Sequence, residues 1–272
     1  MYSKRISVEE LAKMIDHTNL KPFTTKNEIN RLCEEAVNYN FATVCVNTTN
    51  VSFCHEILRG TGVEVATVVG FPLGASLPEA KALETEKAIN LGAQEIDMVM
   101  NIGSFRDKNY HEVSKDIQAV VNAADGNIVK VILETGFLTD EQIIKACEIT
   151  KNSGAHFVKT STGFGPMGAF YDHVLLMRQT VGDDFGVKAA GGIKDARTAV
   201  RLVNAGANRL GASSGVAIVN SLAEIIEEGR WFDSTEDKPI DIYSFGAADP
   251  KKQPKDVYDF YIRKKEEYKK GL

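Results

Sequence analysis

Three charged residues stand inside runs that are otherwise apolar. Asp97 interrupts Glu-Ile-Asp-Met-Val-Met (95–100), Lys159 follows Phe157 and Val158, and Lys188 sits between Val187 and Ala189. Side chains alternate along a strand, so where Val158 and Val187 face outward, Lys159 and Lys188 face inward. Charged side chains are almost never buried unpaired, because desolvating an isolated ion is prohibitive. The trio therefore reads either as a structural ion-pair cluster or as a reactive centre. A lysine amine adds to a carbonyl only when neutral, and at an ordinary pKa of about 10.4 roughly one in 2,500 is neutral at pH 7. A second ammonium close by disfavours the first one's charge, and partial burial pushes the same way. Asp97 would keep Lys188 charged and move protons. This is the logic of imine (Schiff-base) catalysis, with no cofactor. Metal chemistry is not expected: His17, His55, His111, His156 and His173 are scattered, with no H-x-x-x-H or H-E-x-x-H spacing.

A second chemical signal is anion recognition. Gly191-Gly-Ile-Lys194 and Gly211-Ala-Ser-Ser-Gly215 each follow a short apolar run, the latter opening a helical pattern. Glycines let backbone N–H groups approach a phosphate, and a helix N-terminus adds a favourable partial charge. Gly163, four residues after Lys159, offers a third wall.

The elements that would position these groups recur along the chain. Eight β-branched runs (Met14–Thr18, Ala42–Val46, Val65–Val69, Glu95–Met100, Ile128–Glu134, Phe157–Thr160, Val187–Ala190 and Arg209–Ala212) are each followed by a turn and a helical pattern. Thr25/Glu28, Ser76/Glu79 and Thr139/Gln142 have capping-box spacing. Gly92, Gly154 and Gly206 stand where helices need a left-handed C-cap. Eight such units predict a closed (β/α)₈ barrel, an α/β fold, preceded by a short helix at Ser7–Lys13. An open doubly wound sheet is the rival, but no G-x-G-x-x-G follows the first run. The rhythm ends near Arg230. The expected division is a barrel over residues 1–229 and an extension over 230–272 that packs on the barrel or on a partner subunit. In that extension Asp233–Pro254 is turn-rich, and Lys255–Lys270 has a helical pattern with Val257, Phe260, Tyr261 and Tyr268 partly on one face.

Composition sets the outer bounds. The 272 residues are 43% hydrophobic and 25% charged, as in globular proteins, and the formal charge of −5 gives no general attraction to nucleic acid or anionic membrane. The basic end of the chain reads as a solvated helix rather than a nucleic-acid contact. The most apolar stretch, 65–75, is far short of the roughly 20 residues of a membrane span. The first ten residues contain no apolar h-region, so no secretory leader is expected. Cys33, Cys45, Cys54 and Cys147 have no disulfide-scaffold spacing, which fits a reducing cytoplasm.

Four segments together resemble the deoxyribose-phosphate aldolase family. They are Thr-Val-Val-Gly-Phe-Pro-Leu-Gly (67–74), Glu-Ile-Asp-Met-Val-Met-Asn-Ile-Gly (95–103), Val-Lys-Thr-Ser-Thr-Gly-Phe-Gly (158–165) and Val-Lys-Ala-Ala-Gly-Gly-Ile (187–193). The likeness runs from about Ile15 to Gly229. It implies a class I aldolase that reversibly cleaves 2-deoxy-D-ribose 5-phosphate to D-glyceraldehyde 3-phosphate and acetaldehyde, and a homo-oligomer. By position it makes Lys159 the Schiff-base lysine, Lys188 its perturbing neighbour and Asp97 the acid/base partner. Asp16, Thr18 and Cys45 match pocket positions. Gly163, Gly191, Gly192, Lys194, Gly211, Ser213 and Ser214 match phosphate loops. Lys130 and Glu134 share a strand face and are expected to line the same cavity. The chain departs from the family where Thr48 replaces the usual proline, where Phe164 stands at a position that is lysine in some members, and at a C-terminus lacking the final tyrosine of some members. Two alternatives stay open: another lysine-dependent sugar-phosphate aldolase or transaldolase with a different donor, or a sugar-phosphate binding protein without catalysis.

Overall fold

Each β-branched run forms a strand within two residues of its expected ends. The computed structural model describes residues 5–229 together with residues 255, 256, 259, 260, 262, 263 and 266. The strands are β1 (Ile15–Asn19), β2 (Thr43–Val46), β3 (Glu64–Val69), β4 (Glu95–Val99), β5 (Ile128–Ile132), β6 (Phe157–Lys159), β7 (Gly186–Ala190) and β8 (Arg209–Ala212). All neighbours pair in parallel, and β8 pairs back with β1, so the sheet closes into a barrel. The helices are α1 (Val8–Ala12), α2 (Lys26–Asn38), α3 (Val51–Leu58), α4 (Pro78–Asn90), α5 (Ile102–Arg106), α6 (Tyr110–Ala123), α7 (Asp140–Asn152), α8 (Tyr171–Val181), α9 (Ala196–Asn204) and α10 (Gly215–Glu227). The architecture is the expected (β/α)₈ barrel, with α1 placed before β1.

Local chemistry explains the helix ends. Thr25 and Thr139 accept from the third-residue amide while Glu28 and Gln142 reach back to the cap, completing two capping boxes. Ser7 and Glu10 form another at α1. The Ser76/Glu79 box does not form: Pro78 occupies the first turn, Leu77 becomes the N-cap, and Ser76 falls one position too early. Gly92, Gly154 and Gly206 follow their helices with φ of +103°, +85° and +109°, the left-handed geometry expected of them. β5 ends two residues earlier than its apolar run because Glu134 turns left-handed, at φ +54° and ψ +62°, which a strand cannot continue through.

Alternation divides every strand between two environments. Val44, Val65, Ile96, Val129, Val158, Val187 and Leu210 are buried in the layer between sheet and helices. The residues between them point into the barrel, and there charge replaces the branched apolar side chains that commonly fill such interiors: Asp16, Glu95, Asp97, Lys130, Lys159 and Lys188 are all buried. Register fixes their order, with Lys159 beside Lys188 and Asp97 beside Lys130 at strand level. Seven described residues between Lys255 and Glu266 are helical. Phe260 among them is buried, and Asp256 pairs with Arg106 of α5 at 2.7 Å. The Asp233–Pro254 segment and Val257, Tyr261 and Tyr268 lie outside the described residues. Among the described residues, no helix is long and apolar enough to cross a membrane.

Candidate active site

Strand register gathers the interior charges into one hydrogen-bonded cluster. Oδ2 of Asp97 accepts from Lys159 Nζ at 2.7 Å and from Lys188 Nζ at 2.6 Å, so the two amines share one oxygen. The other oxygen, Oδ1, accepts from Lys130 Nζ at 2.8 Å. Lys188 also pairs with Asp16. Deeper in the barrel Lys130 bonds Glu95 at 2.5 Å, and Arg209 spans Asp16 and Glu95, with 2.9 Å contacts to each. The cluster thus holds four cations, Lys130, Lys159, Lys188 and Arg209, against three carboxylates, Asp16, Glu95 and Asp97. Among these hydrogen-bonded groups one positive charge is in excess, and removing the proton from one lysine balances them. Glu64, half-buried at the start of β3, adds a further carboxyl near Arg209 and Lys130 whose ionisation burial disfavours.

Position decides which lysine gives way. Burial depresses the Lys159 amine first, Asp97 opposes that, and the Lys188 ammonium pushes it down again; the net direction is downward. For Lys188, Asp16 and Asp97 together outweigh burial and raise its pKa, keeping it charged. Lys130 is likewise raised: burial and the Lys188 charge push it down, and Asp97, Glu95 and Asp16 together outweigh them. The sequence argument put cation crowding first and partial burial beside it as the sources of a neutral Lys159. The geometry gives burial the larger part and crowding the smaller.

Burial alone would raise the Asp97 and Asp16 carboxyls. Lys130, Lys159 and Lys188 around Asp97, and Lys188 and Arg209 around Asp16, outweigh it and hold both below the ordinary carboxylate range. A depressed acid stabilises the fold fully above its unfolded value of about 3.9 and loses that contribution as pH falls through the folded value. The urea midpoint is therefore expected to drop from about pH 4 downward, and an Asp97→Asn variant to show a shallower acid slope. Denaturation curves across that range check it.

Above the cluster the barrel opens into a cavity of about 460 Å³. Lys159, only 3% exposed, borders it. So do Thr18, Gly163, Gly191, Gly192, Lys194, Gly211 and Ser213, which the fold brings together from the ends of β1, β6, β7 and β8. Gly163, Gly191 and Gly192 have φ of +84°, +93° and +77°, backbone that residues with a Cβ rarely adopt. Ser214 is the N-cap of α10, one residue below the lining. Asp16, Asp97 and Lys188 lie under the cavity floor rather than on it. Lys130 does not line the cavity as expected: it is fully buried between Glu95 and Asp97, because its strand position is one layer below that of Lys159. Cys45 is also fully buried, in a small apolar cluster with Leu20, Ala66 and Val68 against which Phe71 packs. The charges of Lys188 and Lys159 bear on its thiol, yet burial dominates and raises it. Glu134 lies in the turn after β5, buried, its carboxyl pushed up to about 7 by burial.

Sequence reasoning missed Glu95 and Arg209. Glu95 carried a readable signal, since it lies two residues before Asp97 and alternation puts both on the inner face. Arg209 opens β8 at the same level as Lys188. Its role depends on which strand closes the barrel, which no local pattern reveals. Among the described residues, no group of three or more His, Cys, Asp and Glu side chains is disposed to hold a metal ion.

A closed β/α barrel that presents one charge-depressed amine at the C-terminal end of its strands is the architecture of a lysine-dependent aldolase. The chain belongs to the DeoC/LacD aldolase family, whose model matches residues 11–221. It is 55% identical over 211 residues to a deoxyribose-phosphate aldolase of Clostridium tetani, covering 77% of this chain and 98% of that one. To the enzyme of the same name from Clostridium perfringens it is 53% identical, with 84% and 98% covered. Among solved structures, the tetrameric deoxyribose phosphate aldolase of Aeropyrum pernix superposes with a TM-score of 0.76 at 32% identity, covering 80% of this chain and 93% of that one.

Proposed function

We propose that this protein is a class I deoxyribose-phosphate aldolase in which Lys159 forms the imine. The observation that carries the reading is Lys159 itself, a nearly buried amine bordering the cavity, hydrogen-bonded to Asp97, with its charge disfavoured by burial and by Lys188. In the cleavage direction the neutral amine adds to C1 of the open-chain sugar, and the carbinolamine loses water to give an iminium ion. The C2–C3 bond then breaks. The C3 hydroxyl gives up its proton as C3 becomes the aldehyde of glyceraldehyde 3-phosphate, and the bonding pair moves to C2 to form an enamine. Protonation at C2 and hydrolysis release acetaldehyde and restore the amine. Asp97, with Lys188 and water, carries these protons.

The apolar cluster around Cys45 suits a two-carbon donor better than a hydroxylated ketone. At the other end the glycines after β6, β7 and β8, with Lys194, Ser213 and Ser214, suit the phosphate. Phe164 is 52% exposed at the mouth, which leaves Lys194 and the backbone amides as the main phosphate contacts. Turnover of deoxyribose 5-phosphate beside free deoxyribose tests both halves: rapid, phosphate-dependent release of acetaldehyde supports the reading, and cleavage of neither sugar removes it.

The reading extends to residues 230–272 as an appendage of the barrel, supported by the Arg106–Asp256 pair and the burial of Phe260. A cytoplasmic setting is supported by four cysteines that are all buried and unpaired. Self-association is supported by the tetramer of the Aeropyrum pernix relative, and light scattering on the purified chain tests it.

A further inference from the structure

The loop from Thr160 to Phe170 joins β6 to α8 and carries Thr162, Gly163 and Phe164 into the cavity wall beside Lys159. Glu134 reaches into it from the turn after β5. Its Oε2 accepts from the Thr162 hydroxyl at 2.5 Å and from the Thr162 backbone N–H at 3.2 Å. That same hydroxyl accepts from Phe164 N–H at 3.0 Å, so the carboxylate fixes its orientation and, through it, the next turn of the loop. The contact is close on the far side as well: a Cβ on Gly165 would lie 2.6 Å from the Glu134 carboxyl carbon, so a side chain at residue 165 would displace the carboxyl from its present position. Glu134 itself holds a left-handed backbone that few side chains adopt, a strain that persists only where the surroundings over-determine it. The neighbouring backbones interlock too, with Thr135 N–H donating to Thr160 C=O at 3.0 Å.

We propose that Glu134 is a positioning residue that clamps Thr162–Gly165 into the cavity wall and thereby sets the affinity of the site for the phosphate end of the substrate. The chemistry at Lys159 does not pass through it, since Lys159 donates its hydrogen bond to Asp97. The role rests on the aldolase reading above and deepens it. Without the carboxylate, Thr162 loses the acceptor for two donors, the hydroxyl turns, and the Phe164 amide loses its fixed partner. The amides around Gly163 then no longer face the anion in one arrangement, while the Lys159–Asp97 hydrogen bond stays in place and Glu134 bears on the amine only through space.

The test uses the full chain and the variants Glu134→Ala, Glu134→Gln and Thr162→Val. Glu134→Ala is expected to raise KM for deoxyribose 5-phosphate about tenfold, as loss of the two buried hydrogen bonds from Thr162 implies. Borohydride trapping of acetaldehyde on Lys159 should stay within about twofold of the parent. Glu134→Gln keeps an acceptor for Thr162 and should recover most of the loss. Thr162→Val removes the hydroxyl partner, so combining it with Glu134→Ala should add little to either alone. Hydrogen exchange in a peptide spanning 160–168 reads the clamp without substrate and should speed up about tenfold in Glu134→Ala. Unchanged exchange overturns the clamp, as does a fall in trapping that parallels the rise in KM, or full additivity of the two substitutions. If the parent enzyme shows no preference for the phosphorylated sugar, the phosphate reading and the affinity role both fail, while faster exchange would still identify the clamp itself. Should Glu134→Ala not fold, Thr162→Val and Glu134→Gln carry the same comparisons.

Discussion

Replacing Lys188 by methionine is expected to cut turnover at neutral pH about 10²-fold or more and to move the pH dependence of imine formation upward. The charge count explains the direction. With Lys188 gone, Lys130, Lys159 and Arg209 face Asp16, Glu95 and Asp97, and the cluster is balanced with Lys159 protonated. Asp97 then has no competing amine on Oδ2 and binds the Lys159 ammonium more strongly, so the neutral nucleophile becomes scarcer. The loss should be recovered in part by raising the pH, because the amine is still present and only its protonation has changed. Rates of acetaldehyde adduct formation from pH 6 to about pH 10 check this; a profile identical to that of the parent would remove Lys188 from the explanation.

Asp97→Asn should behave differently. The amide cannot take a proton, so turnover is expected to fall by about 10²–10⁴. The cluster keeps four cations against two carboxylates, so Lys159 is no more charged than before and the borohydride adduct should still form. Three buried lysines, Lys130, Lys159 and Lys188, also lose a carboxylate partner, and breaking such pairs typically costs about 3–5 kcal/mol of folding stability. The signature is thus a separable one: trapping retained, turnover lost, and a lowered denaturation midpoint. Loss of trapping in a folded Asp97→Asn protein would mean that the carboxylate is needed to form the imine and not only to carry protons through the later steps.

These two variants differ because the cluster acts as one electrostatic unit, and that unit was only partly legible in the sequence. The strands could be read because each is a short β-branched run, and from β3 onward each follows a glycine after the preceding helix. The inward direction of Lys159 and Lys188 followed from the alternation of Val158 and Val187. The glycines proposed to meet the phosphate were visible at the ends of β7 and β8, and Gly191 and Gly192 after β7 have left-handed backbone. Lys130 was misplaced because alternation gives a face but not a depth. Depth depends on the stagger between strands, and the pairing of Asp97 with Lys130 puts the lysine beneath the cavity. Arg209 went unremarked because its partners, Asp16 and Glu95, lie 193 and 114 residues away and meet it only once β8 closes on β1. Ser76 shows the limit of motif spacing: a proline two residues later resets the helix start.

All of this depends on Lys159 being the one lysine of the cluster that gives up its proton near neutrality. The most direct test is the pH dependence of acetaldehyde–borohydride trapping, with the adduct located by peptide mass spectrometry and its rate fitted for the modified residue. The account predicts a single two-carbon adduct on Lys159, with a half-maximal rate well below the ordinary lysine value of about 10.4. Trapping that rises only near that ordinary value, or an adduct on Lys130 or Lys188, would contradict it.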